Sequence, residues 1–262
     1  MVSIQKSNNK LSFKHNAWQI LDQISLQKFI KEIYYSATSF KEISISLDGD
    51  NIRDKSVLIS LINQIKLFTT AQSLEINFGY LNILEIDVLK ALFKNILELK
   101  QLNKLSLVFD TQVVGISKLE EYQLISLLYN EIPQLDILEL KLWKDTLIDF
   151  GDSNNFVSLF LQQTQIKTLK LELKDNNLNN TFMDNITKDL GKLIQLKQLD
   201  LSLKDSESAI DLTSIIQNLF LLNLESLFLT VEGCQIDEIC LINNKSQNQR
   251  LRKLLNREAN MQ

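Results

Sequence analysis

The sequence predicts an α/β fold: a right-handed α/β solenoid with a parallel inner sheet of about seven to eight strands and helices on its convex side. Three observations predict it. A four-position apolar pattern recurs seven times at nearly constant spacing. The apolar residues between these patterns fall at three- and four-residue steps instead. Only six Gly and one Pro occur in 262 residues, so something other than local turn chemistry must set the chain reversals.

The pattern is apolar, two spacers, apolar, spacer, apolar, spacer, apolar. It occurs at Phe40-Ile43-Ile45-Leu47, Ala71-Leu74-Ile76-Phe78, Leu102-Leu105-Leu107-Phe109 and Leu135-Leu138-Leu140-Leu142. It continues at Ile166-Leu169-Leu171-Leu173, Leu196-Leu199-Leu201-Leu203 and Leu224-Leu227-Leu229-Val231. Successive starts are 31, 31, 33, 31, 30 and 28 residues apart. The alternating part has period two, which puts its apolar side chains on one face of a strand.

Between strands the period changes. Val57, Leu58, Leu61, Ile62 and Ile65 fit one helix face, as do Val88, Leu89, Leu92, Phe93 and Ile96. Phe182, Met183, Ile186, Leu190 and Leu193 repeat the arrangement, and so do Leu212, Ile215, Ile216, Leu219 and Phe220. Each helix is expected to run about three turns. One strand-helix unit cannot bury both apolar faces alone, whereas stacked units share a continuous core. Helix-linked successive strands are expected to run parallel with a right-handed crossover.

The organisation that follows has three parts. Residues 1–39 form an N-terminal cap: Leu11-Ser12-Phe13 reads as a truncated strand, 32 residues before Ile43-Ser44-Ile45. Trp18, Leu21, Ile24, Phe29, Ile33 and Tyr34 supply an apolar helix after it. Residues 40–233 hold the seven repeats, and 234–262 form a C-terminal cap and basic tail. There Ile236 to Leu241 allows a short helix, and Leu251 and Leu254 fall where an eighth unit would begin. Pro133 stands where it would end the helix before the strand at 135.

The seven Leu-x-x-Leu-x-Leu series, spanning about 40–233, resemble the leucine-rich repeat family in its long-repeat, ribonuclease-inhibitor-like subclass. The resemblance implies a horseshoe whose inner sheet binds protein partners. One departure is systematic. The family's Asn or Cys, three residues after the third apolar position, is replaced by Asp48, Gly79, Asp110, Trp143, Lys174, Lys204 and Glu232. The residue before it stays apolar, so the strands are expected to extend one or two residues further.

Charge and composition narrow the function. The net charge is −4, with +3 on residues 1–16 and +4 on 243–262, leaving −11 on 17–242. An acidic body disfavours the phosphate backbone of nucleic acid. No secretory signal and no apolar run of membrane-spanning length is visible, so the expectation is an intracellular, cytoplasmic chain without membrane attachment. Cys234 and Cys240 lack a metal or redox spacing and read as reduced thiols. A lone His15 supports no His-based triad, and no serine elbow or phosphate-binding loop appears. Asp48 and Asp50 are close in sequence, but chance proximity is expected among 32 acids. The expectation is no enzyme, no cofactor, no metal and no small-molecule substrate. Arg53, after the first strand, is the residue available for a GTPase-activating role, a class the resemblance also allows. A structural subunit of a larger assembly is the other alternative.

The remaining reading is a non-catalytic interaction module. Residues between the core positions of each strand must point to the concave side. The candidate partner-binding set there is Val108, Glu139, Lys141, Trp143, Lys170, Glu172, Asp200 and Phe228. Val108, Trp143 and Phe228 are large apolar groups where polar ones would suffice, and Trp is favoured at binding hot spots. Trp143 with Lys141 and Lys170 is the candidate anchor of a protein partner. The alternative is that Trp143 turns at the strand end and packs under the following loop.

Overall fold

The structure, a computed structural model, describes residues 2–15, 30–31, 34, 37–48, 55–79, 84–110, 113–114, 135–143, 165–174, 180–204, 209–210, 219, 222, 224–232 and 235–236. The elements in chain order are β1 (Val2–Lys6), β2 (Lys10–His15), β3 (Glu42–Asp48), α1 (Lys55–Ile62), β4 (Ser73–Gly79), β5 (Leu84–Glu85) and α2 (Ile86–Ile96). They continue with β6 (Lys104–Phe109), β7 (Val113–Val114), β8 (Ile137–Trp143), β9 (Thr168–Lys174), α3 (Asn180–Leu190), β10 (Gln198–Lys204), β11 (Ala209–Ile210), β12 (Ser226–Glu232) and β13 (Gln235–Ile236). The fold is mixed α/β. Among the described residues it is built on a nine-stranded open sheet in the order β1-β2-β3-β4-β6-β8-β9-β10-β12.

Each repeat contributes one strand beside its predecessor, parallel to it. The registers align the repeat positions directly: Leu11↔Ile43↔Leu74↔Leu105↔Leu138↔Leu169↔Leu199↔Leu227 form one row. A second row runs from Phe13 through Ile45, Ile76, Leu107, Leu140, Leu171 and Leu201 to Leu229. The four pattern positions of the first six units are all buried, and Phe78 stacks on its register mate Phe109 at 5.4 Å. At ~1.5–3 kcal/mol for each buried Leu, Ile or Phe, these rows dominate the fold's stabilisation.

The helices bury the stripe that their periodicity marks. Val57, Leu58, Leu61 and Ile62 of α1 join Val88, Leu89, Leu92, Phe93 and Ile96 of α2 and Met183, Ile186 and Leu190 of α3 in the same core as the strand rows. α1 is shorter than expected: it stops at Ile62, and Ile65 is buried from a 3₁₀ turn, Ile65–Leu67. Neighbouring units are tied at this layer too. Asn95 is buried, and its Nδ2 donates to Asn63 Oδ1 at 3.0 Å and to the Ala91 carbonyl at 2.6 Å. Lys55, at the start of α1, donates to Asp87 in the first turn of α2 at 2.6 Å and to Glu85, the last residue of β5, just before that helix.

A backbone device repeats at every strand entrance. One carbonyl accepts the two successive N–H groups that open the next strand. Asn9 O serves Lys41 and Glu42, Lys41 O serves Gln72 and Ser73, and Gln72 O serves Asn103 and Lys104. Asn103, Asp136, Lys167 and Lys197 carry the ladder on to Glu225 and Ser226, with all bonds between 2.7 and 3.1 Å. A shared acceptor satisfies both donors without a dedicated side chain, so the residue type at this position is free to vary. That is one reason the chain needs little Gly or Pro.

Several expectations change. The strands do extend through the position after the fourth apolar residue, except β6, which stops at Phe109. The truncated N-terminal strand is β2, but a ninth strand, β1, hairpins back onto it antiparallel, with Ile4 opposite Phe13. Tyr34, expected on an apolar helix face, is 74% exposed, while Ile30 packs partly buried against the core. Ile236 itself is in a strand, Gln235–Ile236 pairing in parallel with Ala209–Ile210, and the remainder of the short helix expected up to Leu241 lies outside the described residues. Leu219 is buried as expected, whereas the rest of its helix, Pro133, Leu251 and Leu254 lie outside the described residues.

Candidate functional site

With one face of the sheet packed in the core, the alternate side chains of each strand form a second, open face. Parallel register sorts them into rows across the strands. One row reads Ser12, Ser44, Glu75, Ser106, Glu139, Lys170, Asp200 and Phe228. The next reads Lys14, Ser46, Asn77, Val108, Lys141, Glu172, Ser202 and Thr230. All eight candidate residues therefore lie on this face, six of them on the contiguous strands β8 to β10.

Opposite charges meet across the central strands. Glu139 on β8 lies 3.1 Å from Lys104 on β6 and 3.8 Å from Lys170 on β9. Lys141 and Glu172, direct register mates, lie 3.2 Å apart. The Glu139 side chain is only 18% exposed, so its charge is held by the two lysines rather than by water alone. Lys141 and Lys170, the expected cationic anchors, are thus already engaged by carboxylates of this same face.

The apolar candidates separate. Val108 is only 8% exposed, so it offers a partner little area, contrary to expectation. Its small side chain lies between Asn77 and the longer Lys141 in its row, and Ser106 is buried likewise between Glu75 and Glu139. Alternation assigned both residues to the right face, but face does not determine depth. Trp143, at the end of β8, is half-buried, with Lys174 Nζ 6.0 Å from its ring centroid. That distance is at the outer limit for a cation–π contact. Phe228 is 50% exposed on β12, beside half-buried Asp200. Lys104 is the residue that the sequence reading omitted. Aligning the repeats puts it diagonally across from Glu139, so the signal was present in the repeat register.

Other ion pairs lie off this face, among them those of Lys55 and Lys197. Hydrogen bonding to Asp87, then to Glu85, raises the Lys55 pKa above its ordinary value, and Lys55 lowers that of Asp87. Hydrogen bonding to Glu225 raises the pKa of Lys197. Among the described residues no group of three His, Cys, Asp or Glu side chains gathers as a metal site, and no helix is long and apolar enough to cross a membrane. His15 lies in β2 and Asp48 ends β3, while Asp50, Arg53, Cys234 and Cys240 fall outside the described residues.

No family model matches the chain, and no curated protein matches it. Among solved structures it is similar to the actin-binding site 2 of leiomodin-1, with 14% identity and a TM-score of 0.37, over 70% of this chain and 85% of that one. Among the described residues the chain is mixed α/β, with a mostly parallel nine-stranded sheet that keeps one face open.

Proposed function

We propose that the chain is a leucine-rich-repeat-like α/β solenoid and acts as a non-catalytic interaction module, binding a protein partner on the open, concave face of its sheet. One observation carries the reading: eight strands in parallel register align their outward side chains into continuous rows on a face not packed into the core. Such a surface is broad, rigid and chemically varied from strand to strand. Interaction surfaces of stacked-repeat proteins have this form. The ion pairs of β6, β8 and β9 give it a fixed charge pattern, which favours specificity over raw affinity.

The test is quantitative affinity purification of the tagged chain from its native cells. Trp143→Ala combined with Lys170→Glu alters the open face. Lys66→Glu combined with Glu98→Lys alters exposed residues outside the sheet. The proposal predicts that the first pair depletes the recovered partners and the second leaves them unchanged. Equal recovery with both would refute it.

A further inference from the structure

Among the described residues, three large apolar side chains are exposed: Tyr34, Ile194 and Phe228. Of these, only Phe228 sits on the sheet, and it points to the open face. Its register mate is Asp200, on the same face of the adjacent strand. Adjacent strands lie ~4.8 Å apart, so ring and carboxylate stand side by side. The other neighbour of Asp200 in the row is Lys170, which is 3.8 Å from Glu139 instead. No ion pair or hydrogen bond engages Asp200 among the described residues. An aromatic ring and a carboxylate without a partner among the described residues are therefore presented together on the open face of the sheet.

We propose that Phe228 and Asp200 form a receptor for an arginine side chain carried on a basic segment of the protein partner. This rests on the interaction-module reading above and assigns that partner its chemistry. A guanidinium is planar and weakly hydrated, stacks on an aromatic face, and offers paired N–H donors to a carboxylate. It uses both halves of the pair at once. A purely apolar partner group would cover Asp200 and leave a buried charge unpaired, which is costly. An acidic group would be repelled by Asp200 and by the −11 carried on residues 17–242. The net negative charge of residues 17–242 also favours the approach of a basic segment to the chain. Arg meets these conditions better than Lys, whose compact, strongly hydrated ammonium stacks less well.

Two measurements on the full chain test this. In the first, a photo-crosslinking benzoylphenylalanine replaces Phe228, and separately Glu75, five strands away in the same row, in the native cells. The proposal expects cross-links from 228 to a partner peptide containing arginine. Cross-links from 75 but none from 228 would overturn it and leave the interaction-module reading standing. None from either position would count against both. Cross-links from 228 to residues 243–262 of the chain itself would replace the partner with the protein's own basic segment and also overturn it. In the second, fluorescence anisotropy follows a fluorescein-labelled Gly-Ser-Leu-Arg-Leu-Ser-Gly peptide, with citrulline and glutamate versions as controls. The arginine peptide should bind about tenfold tighter than the citrulline one. Asp200→Asn, a near-isosteric change, should abolish that difference, while Phe228→Tyr should retain it with circular dichroism unchanged. Equal binding of arginine and citrulline peptides to the wild-type chain would refute the proposal.

Discussion

Leu140→Ala and Leu229→Ala remove the same side chain from the same core row at two depths. Leu140 is fully buried on β8, with Leu107 and Leu171 as register mates on its two sides. Leu229 sits on β12, at one end of the described sheet, and is partly buried with Leu201 on one side. Fully buried Leu→Ala changes cost ~2.7–5 kcal/mol, rising with the cavity left behind. The Leu140 cavity is walled by strands on both sides and has little freedom to collapse, so its cost should be ~4 kcal/mol. At Leu229 part of the side chain already meets water, and the cost should be ~1–2 kcal/mol. With a urea dependence of ~3 kcal/mol per molar, the unfolding midpoint should fall by roughly 1.3 M and 0.5 M respectively. Circular dichroism reports the whole chain, and in a Trp18→Phe background the fluorescence of Trp143 reports the strand that carries Leu140. A midpoint shift for Leu229→Ala equal to or larger than that for Leu140→Ala would refute the stacked-row account of the core.

Two other predictions follow from the ion pairs. Glu139→Gln removes the carboxylate shared by Lys104 and Lys170, and should cost ~1 kcal/mol at low salt and less at 0.5 M salt. A double-mutant cycle with Lys104→Met checks it, and a coupling energy of zero would contradict the pairing. Asp87 has a folded pKa below its ordinary value because Lys55 hydrogen-bonds it. The contribution of this pair to stability is therefore present above the unfolded aspartate pKa and lost as pH falls through the lower folded one. The Lys55 pKa is raised, so on the alkaline side the contribution holds below the ordinary lysine range and disappears above it. Carboxyl NMR titration should place the Asp87 midpoint below that of an unpaired aspartate, and Lys55→Met should restore it.

The core was legible in the sequence because Leu and Ile recur at positions whose period distinguishes strand from helix. Stacking identical units aligns those positions without further information, and Leu74, Leu105 and Leu138 meet as register mates accordingly. β1 was not legible, because a single five-residue segment has no repeat mate. Its one cue, Ser7-Asn8-Asn9 as a hairpin turn, is short, and the turn closes through the Ser7 N–H to the Lys10 carbonyl at 2.9 Å. On the open face, alternation told which residues share it but not how deep each lies. Val108 is sunk beside Lys141, while Phe228 stands clear at the end of its row. Pairing was obscured for a different reason. Lys141 and Lys170 read as available cations when each strand is taken alone, and their carboxylate partners emerge only when strands are laid in register.

The central claim, that a partner is met on the open face, is tested most directly by cross-linking mass spectrometry of the native complex with a lysine-reactive reagent. Lys141, Lys170 and Lys204 lie on the open face, whereas Lys66, Lys94 and Lys188 belong to the helix layer and its turns. The account predicts that partner cross-links concentrate on the first three and spare the second. Cross-links that concentrate on Lys66, Lys94 and Lys188, with the open face untouched, would contradict it.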